Sequence, residues 1–144
     1  MTVEVRRTES WAKPLPEPGP VSGPFWAAAA EGRILIQRCP ACGHRQFYPR
    51  GLCTSCGSDP DWEEASGRGT VHTFTVIRQQ GARSFRDETP YVVAMIELDE
   101  GPRMMGNVTG CPIDAVAIGM PVRAYVILAE PGIGITMWEP AEPG

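Results

Sequence analysis

Four cysteines, Cys39, Cys42, Cys53 and Cys56, stand as two C-x2-C pairs, each followed by a glycine, Gly43 or Gly57. That spacing lets one tight turn point two thiolates at a single ion. The glycine accepts the left-handed backbone that turns N–H groups toward sulfur. Ten residues separate the pairs, enough for a short ribbon that folds one knuckle onto the other. Four thiolates complete a tetrahedron and leave no open position, so the predicted chemistry is structural Zn binding. Two disulfides or a redox dithiol are the rival chemistries. A redox C-x-x-C stands alone at a strand-to-helix junction, whereas both pairs here lie among Pro, Gly and Arg. Met1 to Arg7 alternates polar and apolar residues, unlike a signal peptide, and no apolar run reaches the length of a membrane span. A cytoplasmic, reducing setting is therefore expected, where paired cysteines bind metal more often than each other.

The other reactive residues do not gather into an acid–base–nucleophile set. His44 follows the first knuckle, and His72 lies between Val71 and Thr73 in a strand-like run. Cys111 sits beside Pro112 with no cationic neighbour to activate it. Asp87 with Glu88, and Asp99 with Glu100, fall in turn-like stretches and are expected to face solvent. Phosphate-loop, nucleophile-elbow and metalloprotease motifs are missing from the chain. A non-catalytic protein is the expectation. One segment carries Arg78, Arg83 and Arg86 around Phe85, a pattern able to stack on single-stranded bases, to clamp the phosphates of a nucleotide-bearing cofactor, or to meet an acidic partner. Charge argues against the first: the net charge is -4, and the residues after Gly67 carry six basic and nine acidic side chains. With Lys13 the only lysine, an electrostatic track along nucleic acid has little to build on.

The elements that position these residues are mostly β, joined by 16 glycines and 15 prolines. Three units are expected: a Pro-rich arm and short helix over 1–32, a zinc ribbon over 33–66, and a barrel over 67–144. Prolines at 14, 16, 18, 20 and 24 forbid helix and favour an extended arm, in which Trp11 is a candidate for packing on the chain itself or on a partner. Phe25 to Glu31 predicts a two-turn helix, with Pro24 in its first turn and Gly32 beyond its end. So short a helix must dock on something, and Phe25 and Trp26 are its anchors. Arg33–Arg38 predicts the strand entering the first knuckle, and Gln46–Pro49 the return. Arg38, Arg45 and Arg50 are expected to offset the charge of the thiolates. After Gly67, strands are predicted at 70–79, 91–98, 103–109, 121–128 and 133–138, with a helical link over 113–118. Five strands with a helical turn between the third and fourth are the order of an OB-fold barrel.

These segments together resemble a family that joins a rubredoxin-like zinc ribbon to an OB-fold and is associated with acyl-CoA metabolism. The residues concerned are Pro24-Phe25-Trp26, Glu31-Gly32-Arg33-Ile34-Leu35, Arg38-Cys39-Pro40-Ala41-Cys42-Gly43 and Phe47-Tyr48-Pro49-Arg50. They continue through Cys53-Thr54-Ser55-Cys56-Gly57, Ser66-Gly67-Arg68-Gly69-Thr70-Val71, Pro90-Tyr91, Leu98-Asp99-Glu100-Gly101 and Ile118-Gly119-Met120-Pro121-Val122. The resemblance implies a non-catalytic accessory subunit of a hetero-oligomer, whose partner is a thiolase or a lipid-transfer-protein-type aldolase. Sterol side-chain or aromatic-acid breakdown is the implied setting. Trp11, Phe25 and Trp26 are then candidate partner contacts, and Arg83, Phe85 and Arg86 candidate contacts to CoA or to the partner. The principal rival is a single-stranded nucleic-acid binder on the same barrel; a free-standing acyl-CoA carrier is a third reading.

Overall fold

Period-two alternation after Gly67 gives strands with one apolar face, and such strands must curl around a shared core. The computed structural model describes residues 2–79 and 81–142. Its elements in chain order are β1 (Glu4–Arg7), α1 (Gly23–Ala30), β2 (Leu35–Arg38), β3 (Arg45–Gln46), β4 (Asp61–Glu64), β5 (Arg68–Ile77), β6 (Tyr91–Leu98), β7 (Arg103–Val108), β8 (Pro121–Glu130) and β9 (Ile133–Pro140). Short 3-10 turns occupy Arg83–Glu88 and Ile113–Ala115. Strands β5, β6, β7, β9 and β8 follow one another, and β8 returns to β5, closing a five-stranded barrel. That circuit is the OB-fold order, with the 3-10 turn at Ile113–Ala115 between the third and fourth strands. Val71, Val92, Ala94, Ile96, Leu98, Val122, Val126 and Trp138 fill it, each at most 2% exposed. The closure is uneven. β8 and β9 pair along most of their length, whereas β7 meets β9 at one residue pair only, Val108 with Trp138.

Helix α1 docks on the chain's own barrel. Ala28 and Ala29 are buried, and a Cβ on Gly134 of β9 would lie 2.5 Å from the Ala30 backbone nitrogen. Small residues on both sides therefore set the approach of helix and strand. The ribbon is a three-stranded sheet in the order β3-β2-β4.

Four expectations are corrected. The arm does not begin as coil: β1 runs parallel to β8, from Glu4 opposite Tyr125 to Arg7 opposite Leu128. It takes the β8 edge beyond Arg123, where the pairing of β8 with β5 stops. The acidic stretch before Gly67 is not a plain linker, because Asp61–Glu64 pairs antiparallel with β2. The return strand is two residues long and starts at Arg45. Glu100 does not simply face water; its carboxylate accepts the Ser66 N–H at 2.9 Å, tying the end of the ribbon to the β6–β7 turn.

Candidate functional site

Each knuckle is built from the same backbone bonds. Gly43 N–H donates to the Cys39 carbonyl at 2.8 Å, and Gly57 N–H to the Cys53 carbonyl at 2.9 Å. Cys39 N–H reaches His44 O at 2.9 Å, as Cys53 N–H reaches Ser58 O at 2.8 Å. Both glycines take positive φ, 78° and 80°, as the C-x2-C-G pattern requires. The four sulfurs lie within 4.8 Å of one another, with Cys39–Cys56 at 3.5 Å and Cys42–Cys53 at 3.7 Å. A tetrahedron of Zn–S bonds of about 2.3 Å has edges of about 3.8 Å, so the donor set fits one Zn ion. Cys39 and Cys53 are buried while Cys42 and Cys56 are exposed, which closes the site from beneath. With all four corners taken by sulfur, Zn here holds structure.

The metal-free thiols are unequal. The His44 backbone lowers Cys42, but burial and the three neighbouring sulfurs outweigh it and push that thiol up to about 11. Hydrogen bonds from the Ser58 hydroxyl and backbone hold Cys56 down to about 6. Four sulfur charges cannot crowd together without a cation, which Zn supplies. Arg45 shares less of this work than expected. Arg45 is taken by Glu63, donating from Nε and Nη2 at 2.9 Å each. Arg38 and Arg50 are exposed and form no ion pair among the described residues.

Two buried glutamines, not foreseen from sequence, brace the ribbon. The Gln37 carbonyl oxygen accepts from Arg50 N–H at 2.8 Å and from Gln46 Nε2 at 2.9 Å, while Gln37 Nε2 donates to Arg50 O. Gln46 Nε2 also donates to Leu52 O, and its oxygen accepts the Thr54 N–H and hydroxyl. The pair therefore fixes the loop that carries Cys53. A lone glutamine beside a cysteine knuckle reads as polar surface; only the folded ribbon shows that it points inward.

A second feature lies between ribbon, helix and barrel. Phe25, Trp26, Phe47 and Tyr48 form a ring cluster with neighbouring centroids 5.0–5.3 Å apart. They wall an apolar groove of about 540 Å³ whose other side is the outer edge of β7 with Ile135 and Thr136 of β9. It runs into a polar cleft of about 450 Å³ lined by His44, Arg45, Arg50 and Arg103. Tyr48 and Met105 are large apolar side chains of the lining left exposed, Met105 at 66%.

The remaining sequence candidates divide. Phe25 is 3% exposed and belongs to the core, reaching the groove only at its inner wall, while Trp26 is half-buried, packed against that core and part of the same lining. Trp11 is half-buried elsewhere, with Lys13 Nζ 5.1 Å from its ring centre. Lys13 also lies 5.3 Å from the Phe85 ring centre and pairs with Glu88 at 2.7 Å, pinning the arm to the Arg83–Glu88 turn. Phe85 packs near Tyr91, at 5.8 Å between centroids. Arg83 and Arg86 are exposed. Arm and turn thus meet each other through Lys13, Glu88 and Phe85, and no zinc-site residue takes part in those contacts.

Two family models match this chain: "ChsH2, rubredoxin-like zinc ribbon domain" over residues 26–63, and "ChsH2, C-terminal OB-fold domain" over residues 62–126. A probable enoyl-CoA hydratase alpha subunit of Thermomonospora curvata is 40% identical over 121 residues, covering 83% of this chain but 37% of that protein. The chain thus spans little more than a third of that relative. A DUF35 domain-containing scaffold protein of Methanocaldococcus jannaschii is 39% identical over 102 residues, covering 69% of this chain and 72% of that protein. Among solved structures, a chain of the "Ltp2-ChsH2(DUF35) aldolase" matches with a TM-score of 0.78 and 36% identity, over 87% of this chain and 98% of that one. A four-cysteine ribbon leading into a closed OB barrel, matched along both parts, places this chain in the DUF35 family of ChsH2-type zinc-ribbon and OB-fold proteins.

Proposed function

We propose that this chain is a non-catalytic accessory subunit of a thiolase-fold acyl-CoA enzyme, a thiolase or a retro-aldolase, and that it supports that enzyme's acyl-CoA site. The observation that carries the reading is its likeness, over nearly the whole of the matched chain, to a component of an aldolase assembly. The surface agrees with a docking role. A zinc site closed by four sulfurs offers no catalytic position, and large apolar side chains stand exposed in the groove between ribbon, helix and barrel. Trp26 is the contact we assign to the partner. Trp11, pinned with the arm against the barrel, is a second. Phe25 acts in that surface only by supporting Trp26, edge to face at 5.0 Å. Exposed Arg83 and Arg86, flanking Phe85, are placed to meet CoA phosphates or the partner at its rim. Sterol side-chain or aromatic-acid degradation in the cytoplasm remains the setting of this reading.

Co-expression with an Ltp2-type aldolase subunit, followed by size-exclusion chromatography with light scattering and an aldol-cleavage assay, tests it. A stable complex, with cleavage that depends on this chain, is the expected result. An aldolase that is fully active alone and does not associate overturns the reading.

A further inference from the structure

The barrel is left unzipped beside the groove. In β7, successive peptide groups point to alternate edges. Leu98 N–H donates to Pro102 O at 2.9 Å, so the even-numbered peptide groups face β6. Thr109 N–H donates to Trp138 O at 2.8 Å, so the odd-numbered ones face β9. Because β7 meets β9 only at Val108–Trp138, the Arg103 and Met105 peptide groups face the β9 side with no strand opposite them among the described residues. The apolar groove opens at this edge. In its lining, the Thr136 hydroxyl oxygen is buried and also lacks a partner among the described residues. A groove that offers apolar walls beside a row of free backbone donors and acceptors suits an extended peptide, which carries both at the strand repeat, better than an acyl chain, whose one carbonyl can accept but not donate.

We infer that an extended segment of the partner subunit adds as a short strand along Arg103–Met105 of β7, seating alternate apolar side chains against Trp26, Tyr48 and Ile135. This rests on the accessory-subunit reading and names where the partner is held. The mouth of the groove specifies the flanking charge. Arg50 forms no ion pair among the described residues, and Arg103 reaches Glu97 only at 3.8 Å with both side chains half exposed. The inserted segment is therefore flanked by Asp or Glu. Main-chain pairing provides affinity and the aromatic walls select the side chains.

Amide hydrogen exchange, read on the full chain alone and in complex with an Ltp2-type aldolase subunit, tests the inference. Alone, the Met105 amide exchanges fast while those of Met104 and Gly106, directed at β6, are protected. In the complex, Met105 slows by about tenfold or more. Met105→Pro removes the outward N–H and no hydrogen bond to β6, though its ring also fixes φ there, and the expected result is about tenfold weaker association with Zn content unchanged. Should that variant unfold, Arg103→Glu at the exposed mouth reads the same site, again with about tenfold weakening. A complex that forms while the Met105 amide still exchanges fast, or that tolerates both substitutions, overturns this inference and leaves the accessory role standing. Failure of the wild-type chain to associate overturns both. Protection of the Met105 amide by a CoA thioester without the aldolase assigns the groove to a small molecule, and also overturns it.

Discussion

At the scale of single residues, the zinc site separates residues that hold the ion from residues that hold the loop. Loss of one sulfur opens the tetrahedron, and a structural Zn contributes on the order of 10 kcal/mol to folding. Cys42→Ser is therefore expected to release Zn and melt the ribbon, read as Zn content by metal analysis and as ribbon signals lost in an NMR spectrum. The glutamine brace acts less directly. Gln46→Leu leaves every ligand in place but strips the Thr54 N–H and the Leu52 carbonyl of their partners. Unpaired buried groups cost about 1–3 kcal/mol. The expected outcome is a fall in Tm of several degrees and faster loss of Zn to a competing chelator, at unchanged stoichiometry. The cysteines were legible in the sequence because ligand spacing is local. The glutamines were not, because their partners lie 6–13 residues away across a turn.

At the scale of elements, packing decides what local pattern left open. Helix α1 is two turns long and buries its alanines against a glycine of β9. Gly134→Val drives a side chain into the Ala29–Ala30 backbone, and overpacking of this kind costs about 1–3 kcal/mol. The measured result is a lower Tm with Zn retained. Strand β4 is held to β3 across β2 by the Arg45–Glu63 pair, and Arg45 keeps the Glu63 carboxyl below its usual value of 4.5. The sign follows from linkage: a depressed carboxyl stabilises the fold above its unfolded value, and that contribution is lost as pH falls through the folded value. The Tm difference between wild type and Glu63→Gln is thus constant near neutrality and shrinks below about pH 4.5. A difference that grows on acidification contradicts the pairing. Strand β1 escaped the sequence because the alternation of Val3 and Val5 is short, stands ahead of a proline-rich run and does not name the strand it pairs with. The fold anchors it: Arg6 lies 3.8 Å over the Tyr125 ring and pairs with Glu139 at 3.0 Å, covering an otherwise exposed tyrosine.

At the scale of the whole molecule, charge and surface argue for a protein partner. A barrel whose half of the chain carries more acid than base, with Phe85 already packed near Tyr91, is poorly furnished for single strands. Binding to oligo-dT at physiological salt is expected to be undetectable by fluorescence anisotropy. Micromolar binding abolished by Arg83→Ala with Arg86→Ala contradicts this. If the proposed accessory role holds, Trp26→Ala weakens association with an Ltp2-type aldolase subunit by about 2 kcal/mol, roughly thirtyfold, with Zn content and the barrel intact. A Trp26→Ala chain that unfolds alone assigns the indole to the protein's own core instead.

The sequence by itself determined the metal site, the five barrel strands and their order, because each rests on interactions between near neighbours. Cysteine spacing sets the knuckles, and period-two alternation sets which face of each strand is buried. Tertiary structure alone decided that Phe25 is core while Trp26 is only half-buried against it, that Glu63 rather than the thiolates takes Arg45, and that β1 completes the edge of β8. It alone showed that the β7–β9 seam of the barrel is a single residue pair beside an aromatic groove. These depend on which distant surfaces meet, and a linear pattern carries no record of the neighbour across a fold.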